Sequence, residues 1–334
     1  MKFIYSLLLS LFLITSVFAQ TQLEGELRFH GFVDNREYVK SGRNSQTILG
    51  SRLAAETGLF IDSTHRIRFG LNALKEYGDS SKFVGSILPT IYYEYQYNKL
   101  DFYIGSFPRY PHLKDYPRLL LNDTLDYYKP NIEGMLLKYK SDRFAGSLWI
   151  DWVGKQSKVT REAFLVGLDA RLTLGKFFIN HYGYMYHKAF SENPANEFLE
   201  DNAGSITNLG IGLKNVGFLD SLTLSAGPVF SFERVRSLTN ILVPKGFVAN
   251  LEACYKRFFV ENRFYSGQGH HLLLGDSFYT SKLYNRLDIG WVPLLTNNLE
   301  GRLKLSFHFV DNAMDNQQSF ILRYRISGSK KVGK

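Results

Sequence analysis

Leu299-Glu300-Gly301-Arg302-Leu303-Lys304-Leu305-Ser306-Phe307-His308-Phe309 alternates apolar and polar side chains almost without a break. Successive side chains on a β-strand point to opposite faces. Leu299, Leu303, Leu305, Phe307 and Phe309 therefore share one face, and Glu300, Arg302, Lys304, Ser306 and His308 share the other. The same period recurs along the chain. Leu222, Leu224, Ala226, Pro228, Phe230 and Phe232 oppose Thr223, Ser225, Gly227, Ser231 and Glu233. Leu23, Leu27, Phe29 and Val33, with Gly25 and Gly31, oppose Glu24, Glu26, Arg28 and His30. Phe320, Leu322, Tyr324 and Ile326 oppose Arg323 and Arg325. If these strands cross a membrane, the apolar faces must meet lipid, because an arginine on the lipid side at mid-depth costs about 2–4 kcal/mol. The charged faces then line a lumen.

A soluble sandwich would show the same alternation, so the connections must separate the two. Short turns fall at Asp62–His65, Asn98–Lys99, Ser141–Arg143, Gly175–Lys176, Asn215–Asp220, Lys256–Arg257 and Thr296–Asn298. Between them lie longer polar stretches at Asn35–Gln46, Gly78–Leu88, Pro108–Pro130, Gly154–Thr160, Ser191–Gly204, Arg234–Lys245, Gly267–Ser281 and Asp311–Gln317. Seven turns alternating with eight loops define sixteen strands with both ends on one side. Short periplasmic turns, long external loops and an even strand count belong to a transmembrane antiparallel up-and-down β-barrel of the bacterial outer membrane. A sandwich of that many strands would be an unusually large double sheet with its charged faces outward.

The N-terminus agrees. Lys2 supplies a positive start, Leu7–Val17 an apolar core, and Val17-Phe18-Ala19 a small-residue cleavage site, so residues 1–19 are expected to be a signal peptide. The apolar core is short for a spanning helix, which needs roughly 20 residues. Cys254 is the one cysteine, so neither a lipid anchor behind the cleavage site nor an internal disulfide is possible. Residues 20–334 form the expected barrel, with strands over about 22–328 and a basic tail at 329–334.

Composition fits this placement. Aromatic residues make up 15% of the chain, with 21 Tyr and 27 Phe, as interfacial girdles require. The mean hydropathy of −0.17 would suit a soluble protein, but a barrel strand needs only every second residue to be apolar. The net charge is +9, or +8 once Lys2 is removed. An exported barrel does not meet nucleic acid. Outer-membrane lipid is the expected partner, and the oligomeric state is left open.

Two sets of residues are candidates for function. The longest connection, Pro108–Pro130, carries Arg109, His112, Lys114, Asp115, Arg118, Asp123 and Asp126. It either enters the lumen as a charged constriction or closes the mouth as a solvated loop. A second set, Arg28, Arg52, Arg66, Arg68, Arg302, Lys304, Arg323 and Arg325, comes from strands made adjacent when the last meets the first, and forms a basic wall interspersed with Glu24, Glu26, Glu56 and Glu300. A weak anion preference is the expected consequence.

His270, His271, Asp276 and Ser277 share one loop, but a catalytic triad converges from rigid positions, and no strained nucleophile turn surrounds Ser277. No enzyme activity, cofactor or metal site is expected from these residues. Cys254 falls on a lumen face as a filler.

Gly105-Ser106-Phe107-Pro108-Arg109, followed by Tyr127-Tyr128-Lys129-Pro130-Asn131-Ile132-Glu133-Gly134, resembles the loop region of the uncharacterised porin-like outer-membrane β-barrels of the Bacteroidota. Tyr265-Ser266-Gly267, Gly275-Asp276 and Tyr284-Asn285-Arg286 extend the resemblance. It implies an outer-membrane location and a porin-like role. Many outer-membrane barrels end on an aromatic residue, whereas here the last strand is expected to stop near Ile326, with Gly328–Lys334 as a basic tail. The expected function is passive or weakly selective diffusion of small polar solutes, since barrels of this size leave an aqueous channel. The alternative is an export or assembly component that grips a polymer or partner protein with its long loops.

Overall fold

The computed structural model describes residues 21–332. The expected signal peptide lies outside them. The strands are β1 (Gln22–Glu37), β2 (Gln46–Ile61), β3 (His65–Glu76), β4 (Ser86–Tyr97), β5 (Leu100–Pro108), β6 (Asn131–Lys140), β7 (Phe144–Gly154) and β8 (Ala163–Leu174). They continue as β9 (Phe177–Lys188), β10 (Glu200–Val216), β11 (Leu219–Val235), β12 (Lys245–Tyr255), β13 (Phe258–Gly267), β14 (Leu283–Leu295), β15 (Leu299–Val310) and β16 (Ala313–Lys331). Each pairs antiparallel with its sequence neighbours, and β1 pairs with β16 to close a sixteen-stranded barrel. Closure leaves no strand edge, and a sheet in lipid must have none.

The two faces are as the alternation requires. Leu303, Leu305 and Phe309 are exposed, whereas Ser306 and His308 between them are buried. A closed barrel with an apolar exterior and a charged interior is an outer-membrane protein.

All seven short turns are present, several on residues with positive φ: Asn98 at 53°, Gly175 at 63° and Lys256 at 54°. Two details of the sequence reading are corrected. The stretch Asp311–Gln317 is no long loop: Asp311 and Asn312 alone turn the chain, with φ of 51° and 61°. Asx side chains tolerate this left-handed pair, which matches the twist of a two-residue hairpin. The last strand also runs past Ile326 and Gly328 to Lys331, so Ser329–Lys331 is not tail. The long β1 supplies the partner, with Gln22 opposite Lys331.

The largest buried apolar cluster lies inside the barrel, where lumen-facing Trp149, Leu165, Tyr184, Ile206 and Tyr284 meet side chains from two inserted loops. Leu305→Arg should therefore destabilise the barrel by about 2–4 kcal/mol in urea unfolding from vesicles. Thr223→Arg, on the lumen face, should change stability by no more than about 0.5 kcal/mol. Equal losses would invert the facing.

Candidate functional site

The connection between β5 and β6, residues 109–130 and here called L3, turns inward at its base. Arg109 N–H donates to the Pro130 carbonyl at 2.7 Å, and its guanidinium donates to the carbonyls of Lys129 at 2.8 Å and Asn131 at 3.1 Å. The same guanidinium forms a buried ion pair with Asp151 on β7. Asp151 in turn accepts the Glu133 N–H at 2.9 Å. One arginine thus ties both ends of the loop to the wall.

Beyond this staple, Tyr116 packs edge-on to Trp149 and accepts its indole N–H at 2.7 Å. Trp149 can lie flat on the wall because Gly167 faces it, where a Cβ would come within 2.1 Å of the ring. Leu119, Leu120, Leu121 and Leu125 are buried in the lumen cluster. A short helix, α1 (Thr124–Tyr128), returns the loop to the opposite wall. There Tyr127 stacks on Phe32 at 4.6 Å, its carbonyl accepts from Arg52, and Asp126 meets Arg323 at 3.5 Å.

Residues 268–282, here called L7, meet L3 inside the barrel. Asn122 N–H donates to Leu274 at 2.8 Å and Asp276 N–H to Arg118 at 2.9 Å. The Arg118 guanidinium is held between Asp123 of L3 and Asp276 of L7, the latter at 3.0 Å. Burial alone would lift the Asp123 carboxyl, but the Arg118 charge outweighs it and holds the group well below the usual carboxylate range. Phe278 anchors L7 to the wall, stacked on His308 at 4.2 Å and on Tyr284 at 5.1 Å. The two loops therefore form one plug in the lumen.

Of the candidate constriction residues, Arg109 is a buried staple, Arg118 and Asp123 belong to the clamp, and Asp126 joins the wall. His112 packs against Tyr103 at 4.6 Å. Lys114 and Asp115 are exposed on the loop and meet none of these.

The eight basic-wall residues all lie on lumen faces of β1, β2, β3, β15 and β16. Beneath the plug, on the short-turn side, five of them, Arg28, Arg52, Arg68, Arg323 and Arg325, line a cavity of about 600 Å³ together with Glu94 and others; Arg66, Arg302 and Lys304 do not reach it. Ion pairs run through the wall: Arg28 with Glu26 and Glu56, Arg66 with Glu24 and Glu94, Arg68 with Glu24, Arg302 with Glu300, and Arg325 with Glu26 at 2.8 Å. Lys304 shares this face. The eight cationic side chains of the wall are interleaved with Glu24, Glu26, Glu56, Glu94, Glu300 and Asp126.

Sequence reasoning missed Asp151, the acid that receives L3, and the fully buried pair Arg286–Asp288 at 2.7 Å, and it gave Asp276 no part in joining the loops. Their signal was present: Trp149-Ile150-Asp151 and Arg286-Leu287-Asp288 place charge on the lumen parity of their strands. The loop set His270, His271, Asp276 and Ser277 does not converge. His270 meets Ser231 at 2.7 Å, while Asp276 caps the turn Ser277–Thr280 and pairs with Arg118. Cys254 is half-buried on the lumen face.

Solved structures share this fold at low sequence identity. A loop deletion mutant of OmpT, an outer-membrane protein of Vibrio cholerae, aligns with a TM-score of 0.55 and 11% identity over 92% of this chain and 99% of that one. OccK2 (OpdF) of Pseudomonas aeruginosa in complex with glucuronate aligns at 0.53 and 9% over 91% and 96%. An anion-selective porin from Comamonas acidovorans aligns at 0.52 and 10% over 92% and 99%. No curated protein sequence matches. A family model described as Lipid A 3'-O-deacylase-type matches residues 16–328. That match overturns the expectation of a chain without enzyme activity, which rested on the absence of a triad within one loop, because the family is named for an enzyme. With the match spanning the whole barrel, the chain belongs to the lipid A 3'-O-deacylase-type family.

Proposed function

We propose that this barrel is a porin-like outer-membrane channel for small polar solutes, narrowed by the L3–L7 plug and weakly selective for anions. The observation that carries the reading is the Arg118 clamp, which joins two inserted loops across the lumen rather than leaving them as lids at the mouth. Passage depends on the plug because its leucines and tyrosines fill the space between opposite walls. The wall beneath it clusters Arg28, Arg52, Arg68, Arg323 and Arg325 around the cavity, and lumen charge sets the ion preference of a pore. The similarity in fold to an anion-selective porin and to a protein solved in complex with glucuronate supports the same direction.

A second reading is favoured by the family match: hydrolysis of an acyl ester on a lipid A-type glycolipid. The two are compatible, because solutes use the lumen and a lipid meets the outer wall.

In planar bilayers under a salt gradient, the reversal potential should report a modest preference for anions; a preference for cations would refute the selectivity. Arg118→Ala removes the cation that bridges Asp123 of L3 and Asp276 of L7 and should raise single-channel conductance by loosening the plug. Unchanged conductance in a correctly folded variant would show that the clamp does not control passage.

A further inference from the structure

One row of the lumen wall holds guanidinium groups that no carboxylate meets closely. His30 on β1 lies opposite Arg52 of β2 on one side and Arg323 of β16 on the other, and the three residues line the cavity of about 600 Å³ together with Tyr92, Tyr103, Tyr110 and Asp126. Other arginines of the same cavity are matched: Arg68 meets Glu24 at 2.7 Å, Arg325 meets Glu26 at 2.8 Å, and Arg28 pairs closely with Glu56. Arg52 is only 4% exposed and makes no ion pair among the described residues. Its guanidinium donates to the Asn72 side-chain oxygen at 2.9 Å and to the Tyr127 carbonyl, while its Nε has no acceptor among them. Glu76 of β3 is engaged by Tyr128 at 2.8 Å. A carbonyl satisfies a donor but does not balance a charge, and a buried charge without a bonded counter-ion is costly. Anchoring L3 therefore does not account for Arg52.

The other two members are also underfilled. His30 Nε2 is buried with no partner among the described residues. Arg323 reaches two carboxylates only at long range, Asp126 of α1 at 3.5 Å and Glu300 at 3.8 Å, whereas a charge-assisted N–H···O bond closes to about 2.7–2.9 Å. The space in front of the row suits a small molecule, for which pockets span roughly 300–1,000 Å³. Tyr92 and Tyr103 engage Glu56 at 3.0 Å and Gln96 at 3.2 Å through their hydroxyls, which leaves their rings to an apolar body. Tyr110 of L3 lies under the Arg323 guanidinium at 4.1 Å. A planar carboxylate accepts paired bonds from a guanidinium, and because it only accepts, His30 would bind it as the Nε2–H tautomer.

We propose that Arg52, His30 and Arg323 bind a small organic carboxylate, and that Asp126 holds Arg323 as an internal counter-ion until this solute displaces it. The inference rests on the channel reading and deepens it, naming the class of solute that the lumen retains and the loop group with which it competes. The solute carboxylate takes over Arg323 and the free Arg52 Nε, and Asp126 is released into the cavity. α1 then keeps Tyr127 on Phe32 but loses its charged tie to the wall, so binding loosens the edge of the plug that borders the cavity.

The test is calorimetric titration of the full barrel in detergent, with benzoate as the probe and benzamide as its uncharged isostere. Benzoate should bind saturably and about 10-fold or more tighter than benzamide, the scale of hydrogen bonds to a charged group. Arg52→Gln and Arg323→Gln should each weaken benzoate by about 10-fold on the same scale, and Arg323→Gln decides the matter if Arg52→Gln does not fold. Asp126→Asn should tighten benzoate, because the competing charge is gone while the side chain keeps its size; a purely structural Asp126 would not do this. Heat-modifiable gel mobility identifies folded variants. Benzoate bound no better than benzamide, an affinity unmoved by folded Arg323→Gln, or no tightening in Asp126→Asn would overturn the proposal. Reversal potentials on the same preparation separate it from the channel reading: anion preference without benzoate binding overturns this site alone, and benzoate binding by a barrel that passes no ions overturns the channel and leaves the site.

Discussion

Everything in this molecule depends on the pairing of β1 with β16. In lipid, each unpaired backbone N–H and C=O is costly, and no water is present to satisfy it. Antiparallel closure from Gln22↔Lys331 to Glu37↔Asn316 removes the last two edges. It also brings the charged faces of the first three strands beside those of the last two. The basic wall is thus a consequence of closure: Arg325 reaches Glu26 only because the two ends of the chain are hydrogen-bonded neighbours.

Closure creates two surfaces with different chemistry from one alternating pattern. The inner surface is wide enough to admit loops, and it is there that the protein builds a buried apolar cluster. L3 enters because Arg109 and Asp151 fold its ends back on the wall, and it stays because its leucines and Tyr116 find Trp149, Leu165 and Ile206 facing them. Arg118 then couples L3 to L7, so the plug behaves as a unit rather than as two independent lids. Burial makes these ion pairs consequential: intact they specify one arrangement, and with one partner removed they leave a charge stranded.

The outer surface is apolar over its belt. A barrel can therefore serve two purposes at once, since the lumen and the lipid face alternate along every strand and do not compete for the same side chains. The membership of a porin-shaped chain in a deacylase-type family is physically coherent on this basis.

Strand number, facing and the short turns were legible because they are local. Period-two alternation, as in Leu299–Phe309, and turn residues such as Asn98-Lys99 depend on neighbours in the chain. The candidate loop and wall were visible as charge on a known parity. What the loop does was not. Whether Arg118 meets solvent or Asp276, 158 positions away in the chain, depends on which distant segment shares the lumen. Asp126 likewise meets Arg323 only because α1 crosses the lumen to the wall that closure makes. By itself the sequence determined an outer-membrane barrel and its two faces, because backbone pairing and burial act at short range. Only the tertiary structure decided the plug, the balance of charge along the wall and the seating of L3 on Arg52 and Arg323, because each is made by residues that closure and loop insertion bring together.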